Sequence, residues 1–173
     1  RLMLEDRLTQ ALRRAQRYGQ PVALFCLDLA RFKFVNDTLG HHAGDTLLVQ
    51  YARRVEELLR QTDTLARMGG DEFALILTDV VNRQDALNVA QKIIDAIKAP
   101  FEVAGHELFV TGSIGVAVYP QDAADAATLQ KNADLALYRA KSLGRNRHQC
   151  FLPDMLTAKS DRLSLENQLR RVL

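Results

Sequence analysis

An α+β fold, with a mostly antiparallel sheet flanked by helices, is what this sequence predicts. Three observations carry the prediction. Segments with apolar residues at helical spacing alternate with short apolar runs. One of those runs, Val22 to Leu29, is dense enough to be a strand buried on both faces. Glycines at Gly69-Gly70 and at Gly105 each separate two strand-like segments, as hairpin turns do.

The elements follow in order. Leu4, Leu8, Ala11, Leu12 and Ala15 mark a helix stopped by Gly19, and Pro21 then opens the strand Val22 to Leu29. Arg31 to Thr38 reads as a short helical piece broken at Gly40. Leu47, Leu48, Tyr51, Ala52, Val55, Leu58 and Leu59 predict a long amphipathic helix. Thr64 to Met68 and Phe73 to Leu77 form a hairpin about the two glycines. Ala86, Val89, Ala90, Ile93 and Ile97 mark a helix ended by Pro100. Phe101 to Ala104 and Glu107 to Val110 give a second hairpin, and Ser113 to Tyr119 a strand that stops at Pro120. Leu129, Ala133, Ala136, Leu137 and Ala140 form a helix stopped by Gly144, and Arg147 to Phe151 adds an edge strand. Leu165, Leu169 and Val172 suggest a terminal helix. The core order is β-α-β-β-α-β with an added hairpin, the split βαβ plan of ferredoxin-like and palm domains.

Composition narrows the function classes. The 173 residues suffice for one domain with one ordinary core, and 47% hydrophobic with 25% charged residues is a globular balance. A formal net charge of +2 argues against broad, nonspecific nucleic-acid binding, although local basic clusters can still hold phosphates. Cys26 and Cys150 lack metal-ligand spacing and read as buried thiols of a reducing compartment. No apolar run approaches the roughly 20 residues that span a bilayer, and no signal peptide is visible. The abrupt start at Arg1 and the helical pattern running to Leu173 suggest a piece of a longer protein.

Several clusters carry chemistry, and each reads two ways taken alone. Asp71 and Glu72 at a glycine hairpin are either an exposed acidic turn or a carboxylate pair suited to Mg²⁺. Asp28, the lone acid of an apolar strand, either caps the next helix or sits at the sheet rim, where it could share a metal with Asp71. Asn36 and Asp45 are either turn and cap residues or readers of guanine, whose N1–H and N2–H₂ donors suit a carboxylate. His41 and His42 lack the further His or Cys that zinc would want. Lys141, Arg145 and Arg147 either complement a helix dipole or clamp phosphate oxygens. Arg60 and Asp63 end the long helix.

Taken together these residues resemble the GGDEF family of diguanylate cyclases. The resemblance rests on Arg67-Met68-Gly69-Gly70-Asp71-Glu72-Phe73, and on Leu27-Asp28-Leu29 with Phe32-Lys33. Asn36-Asp37, Gly40-His41, Gly44-Asp45, Ser113-Ile114-Gly115 and Tyr119-Pro120 extend it. Ala133-Asp134, Ala136-Leu137-Tyr138, Ala140-Lys141 and Gly144-Arg145-Asn146-Arg147 complete it. It implies a palm-like fold and the joining of two GTP into cyclic di-GMP with loss of two pyrophosphates.

Carried over by residue, the resemblance implies Mg²⁺ or Mn²⁺ on Asp28 and Asp71, with Glu72 assisting and the Leu29 carbonyl adding an oxygen. It implies guanine recognition by Asn36 and Asp45 with His41 nearby, and a phosphate clamp of Lys141 and Arg145. Lys33 would stabilise charge on the transferring phosphate, and Asp71 would take the proton of the ribose 3′-hydroxyl. Arg60 and Asp63 match an inhibitory site for the product. The expected partners are GTP, cyclic di-GMP and a second copy of the domain, without nucleic acid. The expected setting is the bacterial cytoplasm, alone or as part of a larger sensor. Ala30 departs from the family, many of whose members carry a second Asp there. The expected division is a cyclase domain over residues 1–152 and a linker helix over 153–173, leading to an EAL phosphodiesterase domain. In that setting the alternative function is a regulatory module that binds GTP or cyclic di-GMP.

Overall fold

The computed structural model describes residues 2–156. Its elements run α1 (Leu2–Tyr18), β1 (Val22–Leu29), α2 (Phe32–Leu39), α3 (His41–Glu56), β2 (Thr64–Gly69), β3 (Glu72–Leu77) and α4 (Arg83–Ala96). They continue with β4 (Phe101–Val103), β5 (His106–Leu108), β6 (Gly112–Tyr119), α5 (Ala126–Ser142) and β7 (Arg147–Cys150). Five strands form one sheet in the order β2-β3-β1-β6-β7, and β4-β5 is a separate hairpin. Only the β6–β7 pair is parallel; β1 runs antiparallel to both β3 and β6. The expected α+β plan is therefore the observed one, with β7 added at the edge beside β6. The terminal helix suggested by Leu165, Leu169 and Val172 lies outside the described residues.

The apolar density of β1 has a direct cause, since the strand is central and both its faces are covered. Ala23, Phe25, Leu27 and Leu29 join Leu47, Tyr51, Val55, Ile93 and Ile97 from α3, α4 and the turn after α4 in one core. Val22 and Leu24 join Leu8, Leu12, Leu129, Ala133 and Ala136 from α1 and α5 in another. At β6 the second layer comes unusually close. A Cβ on Gly115 would overlap the Leu137 nitrogen and the Ala133 carbonyl, and would stand 2.7 Å from the Leu137 Cα. Only glycine lets the α5 backbone rest on the sheet there.

Two differences from the sequence expectation are informative. Helix α3 begins at His41 instead of Leu47. Its first turn is polar except for buried Ala43 and Gly44, so apolar periodicity appears only further along. The cysteines are free but partly exposed, because both lie on strands near the rims of the two cores.

Two tethers were not legible in the chain. The Arg54 guanidinium donates to the carbonyls of Ala96, Ala99 and Pro100 and stacks 3.6 Å over the Phe101 ring, fastening α3 to the end of α4. Arg83 pairs with nearly buried Asp122 at 2.7 Å and donates to the Phe151 carbonyl, tying α4 to the far end of β6 and the strand exit.

Replacing Gly115 with alanine tests the close approach. Overpacking there should destabilise the fold by about 1–3 kcal/mol, read as a lowered midpoint in urea unfolding. An unchanged midpoint would mean that α5 does not rest on the sheet at this glycine.

Candidate active site

The site forms where β1 ends. In β1 the even-numbered residues face α1 and α5, and Asp28 continues that face at the rim, opposite Glu72 of β3 and Ser113 of β6. Asp28 is 8% exposed. The hairpin tip folds back onto this end through the Leu29 N–H, which donates to the Asp71 carbonyl at 3.2 Å. The turn needs Gly70, whose φ is 52°. Leu29 brings only its backbone to the rim, since its side chain is 1% exposed.

Asp28 and Asp71 therefore face each other. Burial pushes the Asp71 carboxyl up to about 6, and the negative charge of Asp28 and a hydrogen bond to it add to the rise. Its own backbone N–H and Lys141 pull the other way. Lys141, in the last turn of α5, pairs with Asp28 Oδ2. The second oxygen of Asp28, Oδ1, is buried without a hydrogen-bond partner. A carboxylate oxygen left without a donor, beside a second carboxyl that resists ionisation, is the environment a divalent cation relieves. The donors are all oxygen, which suits Mg²⁺ or Mn²⁺. Among the described residues no three acidic, histidine or cysteine side chains converge as a metal site. Asp28 and Asp71 are thus the two side chains that fit such an ion, and Glu72 is exposed beside them on β3.

The other predicted residues lie on α2, on α3 and in the loop after α5. Lys33 is exposed in the first turn of α2. Asn36 lies further along α2, half-buried against α3, while His41 and Asp45 are exposed in the opening turns of α3. Arg145 is exposed in the loop after α5, with a left-handed φ of 62° between Gly144 at 116° and Asn146 at 50°. Ala30 offers only a methyl where β1 meets α2, and its N–H donates to the Thr111 carbonyl at 2.8 Å.

Arg60 and Asp63 stand apart from this group. The Asp63 carboxylate accepts from the Arg60 N–H at 2.9 Å and the Thr78 N–H at 3.4 Å. Both residues line a cavity of about 270 Å³ with Leu58, Thr78, Asn88 and Lys92. That cavity lies past the end of β3 away from Asp71, one six-residue strand distant, or roughly 20 Å.

Comparison with known proteins settles the family. The profile described as "Diguanylate cyclase, GGDEF domain" matches residues 1–147. The chain belongs to the GGDEF family. Across its whole length this GGDEF chain is 41% identical to the bifunctional diguanylate cyclase/cyclic di-GMP phosphodiesterase MucR of Pseudomonas aeruginosa, covering 25% of that protein. It is 36% identical, again over its whole length, to the cyclic di-GMP phosphodiesterase NbdA of the same organism, covering 22% of it. The chain thus spans about a quarter of the length of these relatives. A solved structure of TpbB (YfiN) from Pseudomonas aeruginosa comprising only its GGDEF domain superposes with a TM-score of 0.90 at 38% identity, covering 92% of this chain and 94% of that one. The palm-like architecture implied by the motifs is the one observed. No helix among the described residues is long and apolar enough to cross a membrane.

The Asp28–Asp71 contact has a measurable signature in chelator. The folded chain keeps a proton on Asp71 up to about pH 6, whereas an unfolded Asp releases it near pH 4. Between those values the folded state binds more protons, so stability falls as pH rises through the window. Asp71→Asn should flatten this fall. Thermal unfolding at pH 4 to 7 of both chains in EDTA checks it, and parallel curves would mean that the fold does not raise the Asp71 carboxyl.

Proposed function

We propose that this chain is a diguanylate cyclase domain that condenses two GTP into cyclic di-GMP with release of two pyrophosphates. The meeting of Asp28 and Asp71 at the end of β1, in a chain of this family, carries the reading. Asp28 and Asp71 would hold Mg²⁺ or Mn²⁺, with Glu72 assisting and the Leu29 carbonyl adding an oxygen. The ion, when bound, polarises phosphoryl oxygens as a Lewis acid. Asp71 accepts the proton of the ribose 3′-hydroxyl as its oxygen bonds to the α-phosphorus of a second GTP and the bond to pyrophosphate breaks.

Lys33 stabilises charge on the transferring phosphate, and Arg145 binds triphosphate oxygens together with Lys141, which shares Asp28 in this arrangement. Asn36 and Asp45, with His41 beside them, select guanine. One domain presents one nucleotide, so two copies must face each other for the two bonds of the product. The cavity at Arg60 and Asp63 takes cyclic di-GMP as an inhibitor. The division into a cyclase domain at 1–152 and a linker helix at 153–173 belongs to the same proposal, as does a cytoplasmic setting.

The second reading is a module that binds GTP or cyclic di-GMP and controls an attached EAL phosphodiesterase domain. Ala30 favours it, as does the alignment of the whole chain with a protein named as a phosphodiesterase. Incubation with GTP and Mg²⁺ or Mn²⁺ separates the two. The cyclase reading expects cyclic di-GMP, at a rate per chain that rises with protein concentration. Tight GTP binding without product at high protein concentration would select the regulatory module. Asp71→Asn should abolish turnover, and an unchanged rate would remove Asp71 from the chemistry. Arg60→Ala should leave the initial rate intact and relieve product inhibition; inhibition persisting at the same product concentration would exclude that cavity.

A further inference from the structure

Glycine is a poor helix former, so Gly44 inside α3 calls for a reason. It is buried. A Cβ built on it would overlap the Asn36 Oδ1, stand 2.8 Å from the Asn36 Cγ and 3.1 Å from the Phe32 Cε2. The Asn36 carboxamide therefore occupies the volume in which any other residue at position 44 would put its side chain. Nothing else fixes that carboxamide oxygen, because Asn36 Oδ1 is buried with no hydrogen-bond partner. Shape alone seats it. The neighbouring residue, Asp45, is one of the two proposed guanine readers, and Asn36 is the other.

We propose that Gly44 is a positioning residue for purine recognition: its missing side chain is the slot that seats the Asn36 carboxamide beside Asp45. The inference rests on the reading of Asn36 and Asp45 as guanine-binding residues and adds the element that sets their spacing. Asn36 comes from α2 and Asp45 from α3, so their separation depends on how closely the two helices meet. Gly44 and Gly40 fix that approach. The Gly40 N–H donates to the Asn36 carbonyl at 2.9 Å, and the Gly44 N–H donates to the Gly40 carbonyl at 3.2 Å. The backbone from Asn36 to Gly44 is thus a single hydrogen-bonded elbow, and the slot lies on its inner side. With Oδ1 held in the slot, the amide nitrogen is the end of the carboxamide left to meet a base, and it donates to a purine acceptor. A methyl group at position 44 would expel it from that orientation without touching Asp45, the carboxylates or the phosphate-facing cations.

Binding of GTP and of inosine triphosphate, which lacks the 2-amino group, tests this in the native chain, Gly44→Ala, Asn36→Ala and the double variant, all with Mg²⁺. Gly44→Ala should weaken GTP binding about tenfold, the worth of roughly one hydrogen bond to a charged or buried group. Its preference for GTP over inosine triphosphate should match that of Asn36→Ala. The double variant should bind GTP no worse than Asn36→Ala alone, because the carboxamide through which Gly44 acts is gone. Thermal unfolding of the same four chains covers the case in which Gly44→Ala does not fold: a double variant that folds again still shows the collision with Asn36. Native-like GTP binding by Gly44→Ala, additive losses in the double variant, or failure to fold in both backgrounds would overturn the proposal. Native GTP binding with no effect of Asn36→Ala would instead overturn the guanine-reading assignment on which it stands.

Discussion

The register between β1 and β3 is the constraint on which the site depends. It sets Asp28 opposite Glu72 and lets the Leu29 N–H reach the Asp71 carbonyl. Strand side chains alternate, so a slip of one residue would turn Asp28 toward the α3 and α4 core and leave Asp71 without a partner. The apolar residues of β1 forbid the slip. Phe25 and Leu27 on one face and Leu24 on the other each have a core to fill. The same burial that makes the strand stable makes a carboxylate at its end expensive, which is why Asp71 holds its proton and why a cation is favoured there.

The sheet gives the rim, and helices cover the sheet on opposite faces. α5 lies close against β6 because Gly115 has no side chain, and its last turn delivers Lys141 to Asp28. α2 and α3 lie on the other face, anchored by Val35, Leu47 and Tyr51 in the core. Their elbow seats the Asn36 carboxamide against Gly44, the residue before Asp45. Arg54 holds α3 to the end of α4 through three carbonyls and the Phe101 ring. Each arm of the site is thus braced by a contact that does no chemistry.

The cavity at Arg60 and Asp63 occupies the other end of the β2–β3 hairpin from Asp71. Asp63 already holds two backbone N–H groups there, so it shapes the loop as well as lining the cavity. A ligand in that cavity touches the hairpin whose tip carries Asp71. The hairpin is a physical connection between the two places.

Much of this was legible in the chain. Among the described residues, spacing of apolar residues located the long helices and the main strands, because burial on one or two faces leaves a period in the sequence. The run from Arg67 to Phe73, read with Asp28, Asn36, Asp45, Lys141 and Arg145, named the family. What the chain hid was contact. His41 to Asp45 looked like a turn because a helix start that faces a site has little apolar periodicity to show. Gly44 stood in the chain only as part of a motif, yet its missing side chain leaves the space that Asn36 fills. Lys141 looked like a group for phosphate, and only the packing of α5 on β6 showed that it reaches Asp28. The sequence by itself determined the elements, the family and the set of reactive side chains, since those follow from residue type and order. The tertiary structure decided which of those side chains meet, which carboxyl keeps its proton and which glycine is a slot, since distance and burial arise only once remote segments pack.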